Sequence, residues 1–144
     1  MPYEAGWLIQ DRVMIIRYAG VLSSEDVRQY LEETLAMRDE ANARLGENGP
    51  LVHTITDATR LESYSLKMAD IQKMLKSLRT QRVGWSIFVH PAPSERFWAS
   101  LGQQWAGVRH REFNTMSTAL EFLRIDTTLP ADEIDRLLAE FGET

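Results

Sequence analysis

The chain contains no cysteine among its 144 residues. That excludes a disulfide framework, zinc-thiolate sites, iron–sulfur clusters and a cysteine nucleophile, and it fits a reducing compartment. Long apolar runs are missing as well. No uninterrupted stretch approaches the ~20 residues that a membrane-crossing helix requires. The opening segment MPYEAGWLIQDR has an acid at position 4 and no long apolar core, so it does not read as a signal peptide. Positive charge is in short supply: 16 Lys and Arg against 21 Asp and Glu leave a net charge of −5. Non-specific nucleic-acid binding rests on phosphate neutralisation by Lys and Arg, and this balance argues against it. The three histidines are dispersed with no HxH or HxxxH spacing, and there is no Gly-rich phosphate loop. The expectation is a soluble cytoplasmic protein with no cofactor, no metal, no nucleic-acid partner and no membrane span.

What remains is an ordinary globular composition, 44% apolar and 26% charged. The length suits one domain, large enough to bury a core without disulfides or metals. No internal repeat, low-complexity tract or interdomain linker interrupts it.

Two β-rich runs open the chain, Gly6–Gln10 and Val13–Ala19, and their separation by Asp11-Arg12 predicts an antiparallel hairpin. Asp-Arg is not a favoured two-residue turn, so the loop is expected to be longer than it looks. Gly20 is read as the end of the second strand. Ser23-Ser24-Glu25-Asp26 then supplies hydroxyl caps and first-turn acids for a helix. Val27, Tyr30, Leu31, Thr34, Leu35 and Arg38 recur at helical spacing, and Gly46 through Pro50 stop the helix. A strand over 51–57 ends at Asp57. A helix over about 65–79 follows, then a strand over 84–89 that Pro91 and Pro93 bar from extending. Ser94-Glu95-Arg96 caps a helix ended by Gly107, residues 111–114 suggest an edge strand, and Ser117 opens another helix. Pro130 begins a last one, with Ile134, Leu137, Leu138 and Phe141 as its apolar stripe.

The order ββαβαβαβα plus a tail helix predicts an α/β fold: a mixed, mostly parallel sheet flanked by helices, with an antiparallel edge from the opening hairpin. The division expected is a core domain over 1–125 and a C-terminal helical extension over 126–144. An exposed apolar stripe on the tail calls for a partner surface, on its own domain or on a second subunit.

At this level of pattern the chain resembles the STAS-like, or SpoIIAA-like, superfamily of bacterial proteins. The resemblance covers roughly residues 6–125. It rests on the hairpin leading through Gly20-Val21-Leu22-Ser23 into a helix, the strand ending in Asp57 and the strand Trp85–Val89. The closing pattern from Phe113 to Leu123 completes it. The anti-sigma-factor antagonists of this group carry a phosphorylatable serine in an Asp-Ser-Ser-Gly-type loop after the matching strand. Here the matching segment, Arg60 to Leu66, offers Ser63 and Ser65, with Glu62 as the nearby acid and no glycine after the serine.

Several readings follow. Ser63 or Ser65 caps the 65–79 helix or, as the resemblance implies, serves as a phosphoacceptor or partner contact together with Asp57 and Glu62. Trp85, Phe97, Trp98 and Trp105 form a core stripe or line a small-molecule or lipid pocket beneath the Phe97–Trp105 helix. His53 and Asp57 share one strand face ~13 Å apart, too far to bond directly. Asp57 with His90 is the best acid–base pair on offer. The function expected is a non-enzymatic regulatory or protein-interaction module acting through the loop and helix after Asp57. A small-molecule or lipid-binding domain is the alternative. A protein partner is expected; homodimerisation and a small-molecule ligand stay open.

Overall fold

The computed structural model describes residues 3–65, Ala69, Lys76, residues 82–90 and residues 109–142. Within them lie five strands and three helices. β1 (Tyr3–Ile9) and β2 (Val13–Ser23) precede α1 (Ser24–Leu45). β3 (His53–Ser65), β4 (Ser86–Val89) and β5 (His110–Phe113) lead to α2 (Met116–Asp126) and α3 (Ala131–Phe141). The strands form one sheet in the order β1-β2-β3-β4-β5. β1 runs antiparallel to β2 and every other pair is parallel. This is the mixed sheet that the alternation of elements predicts. The helices expected over 65–79 and 95–107 fall largely outside the described residues; Ala69 and Lys76, on the first of them, are helical.

The opening turn is longer than two residues. Gln10, Asp11 and Arg12 connect the strands, and Asp11 takes the left-handed conformation at φ 62°. A short side chain tolerates that region best. Its carboxylate is gripped by the Arg44 guanidinium at 2.6 and 2.8 Å, which holds the Asp11 pKa below the usual range.

α1 is built as its sequence suggests. The Ser23 hydroxyl accepts from the Asp26 amide while the Asp26 carboxylate accepts from the Ser23 amide, a reciprocal capping box. At the far end Gly46 sits at φ 83° and its N–H reaches back to the Asn42 carbonyl. Ser23→Ala removes the cap acceptor and is expected to destabilise the domain by about 1 kcal/mol. A urea midpoint unchanged from wild type would sink that expectation.

Two helical layers cover the sheet. On one face α1 buries Val27 and Tyr30 against Ile16, Tyr18, Leu22 and Ala58. Its Arg38, almost wholly buried, donates to the Thr54 hydroxyl at 2.9 Å. Burial lowers the Arg38 pKa to about 10. On the other face Leu120 and Leu123 of α2 pack on Val13, Ile15, Ile55 and Ile87. The tail helix docks in cis there: Ile134 and Leu137 of α3 join the same core.

Two strand ends require correction. β2 does not stop at Gly20 and β3 does not stop at Asp57; they continue together to Ser23 and Ser65. The register explains why. Arg17 faces Asp57, Ala19 faces Arg60, Gly20 faces Leu61 and Val21 faces Ser63. β3 thus spends one extra residue before Arg60 and another, Glu62, before Ser63. Gly20 accommodates this irregular stretch at φ 70°. The pairing continues because each strand is the other's partner, a non-local condition that neither segment announces on its own.

Candidate functional site

Beyond Tyr18 and Asp57 the sheet narrows. β1 begins at Tyr3, opposite Tyr18, and β4 ends at Val89, opposite Asp57. Among the described residues, the stretch from Ala19 to Ser23 therefore pairs only with β3, as a two-stranded parallel ribbon. One face is anchored, since Leu22 and Leu61 pack into the α1 core. The opposite face carries Val21, 56% exposed, and Ser63 beside it in register, also exposed. Covering what Val21 still exposes would gain a partner about 1 kcal/mol.

At the root of the ribbon, on the side of α2 and α3, lies a cleft of about 560 Å³. Arg17, Asp57, Arg60 and Glu4 bring its charges, and Thr115 and Phe141 contribute from the helices. Asp57 is committed locally: its Oδ1 accepts from the Thr59 amide at 3.0 Å and from the Thr59 hydroxyl at 2.6 Å. Those bonds stabilise the first bulge. The strand places Val89, not His90, in register with Asp57.

The predicted site residues are thus dispersed. Asp57 marks the root of the ribbon, Glu62 is the surplus residue of the second bulge, and Ser63 stands on the open face. Ser63 lies within β3 and not at a helix N-terminus, so its expected capping role is withdrawn. Ser65 is the last residue of β3, opposite Ser23. Trp85 lies at the other end of the sheet, its ring 5.0 Å from Phe122 and edge-on to it, with the Arg109 guanidinium 5.1 Å away over its face. Phe97, Trp98 and Trp105, and with them the proposed pocket beneath their helix, lie outside the described residues. Among the described residues no group of three or more His, Asp or Glu could hold a metal ion. None of their helices is long and apolar enough to cross a membrane.

Sequence reasoning passed over Arg17 and Arg60. Arg17 had a visible signal, as the one charge inside the run Val13–Ala19. In the sequence His53 stands out only for its distance from Asp57. It is 5% exposed, and its Nδ1 accepts from the Trp85 amide at 2.9 Å. Burial, then the nearby Arg12 and Arg109, pull its pKa down to about 4.

A five-stranded mixed sheet of this order, with one antiparallel edge and helices on both faces, is the SpoIIAA-like, or STAS-like, fold. Solved structures agree. An uncharacterised protein of the DUF3478 family with a SpoIIAA-like fold, from Shewanella loihica PV-4, superposes with a TM-score of 0.56 at 22% identity. That match covers 84% of this chain and 93% of the other. The anti-sigma factor antagonist SpoIIAA in its unphosphorylated form gives 0.55 at 17% identity, over 85% of this chain and 98% of the other. The phosphorylated form of the Bacillus cell fate determinant SpoIIAA gives 0.53 at 18%, over 84% and 98%. At these identities the likeness is one of fold. No protein-family model matches the sequence, and no curated protein does.

Proposed function

We propose that this chain is a non-enzymatic protein-interaction module of the cytoplasm that works through the open face of the β2–β3 ribbon, with Ser63 as the residue that regulates it. The observation that carries this reading is the pairing of exposed Val21 with exposed Ser63 on a ribbon that β1 and β4 leave uncovered among the described residues. Val21 supplies apolar area for a partner. A phosphate on Ser63 would set close to two negative charges beside it, and desolvating them on docking would oppose the contact. The neighbours' names lend support, since they describe an anti-sigma factor antagonist known in phosphorylated and unphosphorylated forms. The surface proposed is the bulged ribbon that stands where a loop was expected after Asp57.

The test places a photo-crosslinking amino acid at Val21 in the protein's own cells, with Asp132 on α3 as the control position. The expected outcome is one adduct of reproducible mass from position 21, absent from position 132 and lost when Ser63→Asp is added. The adduct's mass separates a different protein from a second copy of the chain. No adduct, together with a stoichiometric non-protein mass in native mass spectrometry, would overturn the reading in favour of a small-molecule carrier.

A further inference from the structure

At the opposite end of the sheet from the ribbon, three donors that serve no assigned purpose meet in a cleft of about 410 Å³. It opens where β3, β4 and β5 begin. Arg12 reaches it from the hairpin turn, His53 from the first residue of β3, and Arg109 from the residue before β5. Leu51, Trp85 and Ile125 form apolar wall, with Ile125 70% exposed.

Each donor is held in place and left with capacity. The Trp85 amide can only donate, so the His53 Nδ1 it meets must carry the lone pair, and the proton of the neutral ring sits on Nε2. Among the described residues no acceptor meets that Nε2–H. Arg12 donates through Nη2 to the Thr128 carbonyl, its Nε is buried, and among the described residues no acceptor meets its Nη1. The Arg109 guanidinium is steadied over the Trp85 ring. Neither arginine forms an ion pair among the described residues. Among the described residues Asp126 is the one carboxylate lining the cleft, and Glu133 acts on Arg12 from farther away. Two guanidiniums and a neutral N–H donor, set against an apolar wall, suit an anion with a hydrophobic body.

We infer that this cleft binds a small organic acid, whose carboxylate is held by Arg12, Arg109 and the His53 Nε2–H while its apolar part lies against Trp85, Leu51 and Ile125. A carboxylate offers a guanidinium two parallel acceptors, and such charge-assisted bonds are the strong ones. The wall separates this ligand class from inorganic anions, which would gain nothing from it.

The experiment is an NMR titration of the isotopically labelled full chain with sodium benzoate, at ionic strength held constant with sodium chloride. The expected result is saturable shifts at the Trp85 amide and a downfield shift of the His53 Nε2–H as it gains an acceptor. Arg109→Gln, at an exposed position, is expected to weaken binding roughly tenfold. Sodium phosphate at the same ionic strength is expected to bind at least about tenfold more weakly, for lack of the apolar contact. Non-saturating shifts, an affinity indifferent to Arg109→Gln, or phosphate binding as well as benzoate would each overturn the proposal.

Discussion

Gly84→Ala should destabilise the domain by about 3 kcal/mol, as much as emptying a core position, although it adds only one methyl group. An added Cβ would lie against His53 Nδ1, 2.7 Å from Cε1 and 2.9 Å from the Val52 carbonyl oxygen. The nearest groups are a buried ring and backbone, neither of which can swing aside. Two hydrogen bonds converge on this spot, Gly84 N–H to the Val52 carbonyl and Trp85 N–H to His53 Nδ1, both at 2.9 Å. Any shift that relieves the clash lengthens one of them, and a buried group left unpaired costs about 1–3 kcal/mol by itself. Urea unfolding of the two proteins measures the difference. A loss under about 1 kcal/mol would mean that β3 and the approach to β4 are far less rigidly coupled than the geometry indicates.

Stability should also fall steeply on mild acidification, with His53 as a principal cause. In the folded protein its pKa lies at about 4, against 6.5 for an unperturbed histidine. Between those values the unfolded chain binds a proton that the folded chain refuses, so stability rises with pH across the window. The contribution is complete above pH 6.5 and gone below about pH 4, and at 1.36 kcal/mol per pKa unit it amounts to about 3 kcal/mol. The physical reason goes beyond desolvation and the two arginines. A proton on Nδ1 would point at the Trp85 amide, donor against donor. His53→Asn offers a non-titrating acceptor to that amide and should flatten the stability profile between pH 4 and 6.5. Carboxylates such as Asp11, whose pKa is depressed by Arg44, titrate in both proteins and cancel in the comparison. Parallel profiles for the two would remove His53 from the explanation.

The helices of this fold were the easiest parts to read, because their signals are local. Ser23 and Asp26 sit three residues apart and complete their own capping box. Ile134 and Leu137 lie on one face of α3 and are buried together. The sheet's outline followed from the alternation of elements, but its edges did not. Asp57 looks like a strand terminus because it is polar and hydrogen-bonds its own backbone neighbourhood. It does so inside a bulge, and only the pairing with β2 shows that the strand resumes. Gly20 reads as a strand end for the matching reason. Ser63 stands out as a residue, but the element that holds it does not. The carboxylic-acid cleft was hidden altogether, since Arg12, His53 and Arg109 are far apart in sequence and meet only because parallel strands gather their starting ends on one side.

The two bulges in β3 carry a counting consequence. A strand shows alternate residues to alternate sides, and a bulge takes up one surplus residue without disturbing that order. Asp57 and Ser63 face the same side because their partners Arg17 and Val21 do, while Thr59 and Glu62 stand outside the pairing. Deleting either surplus residue would straighten β3 at that point and leave Leu61 opposite Gly20 and Ser63 opposite Val21. Each bulge is therefore a place where the ribbon can lose or gain a single residue without turning over either face.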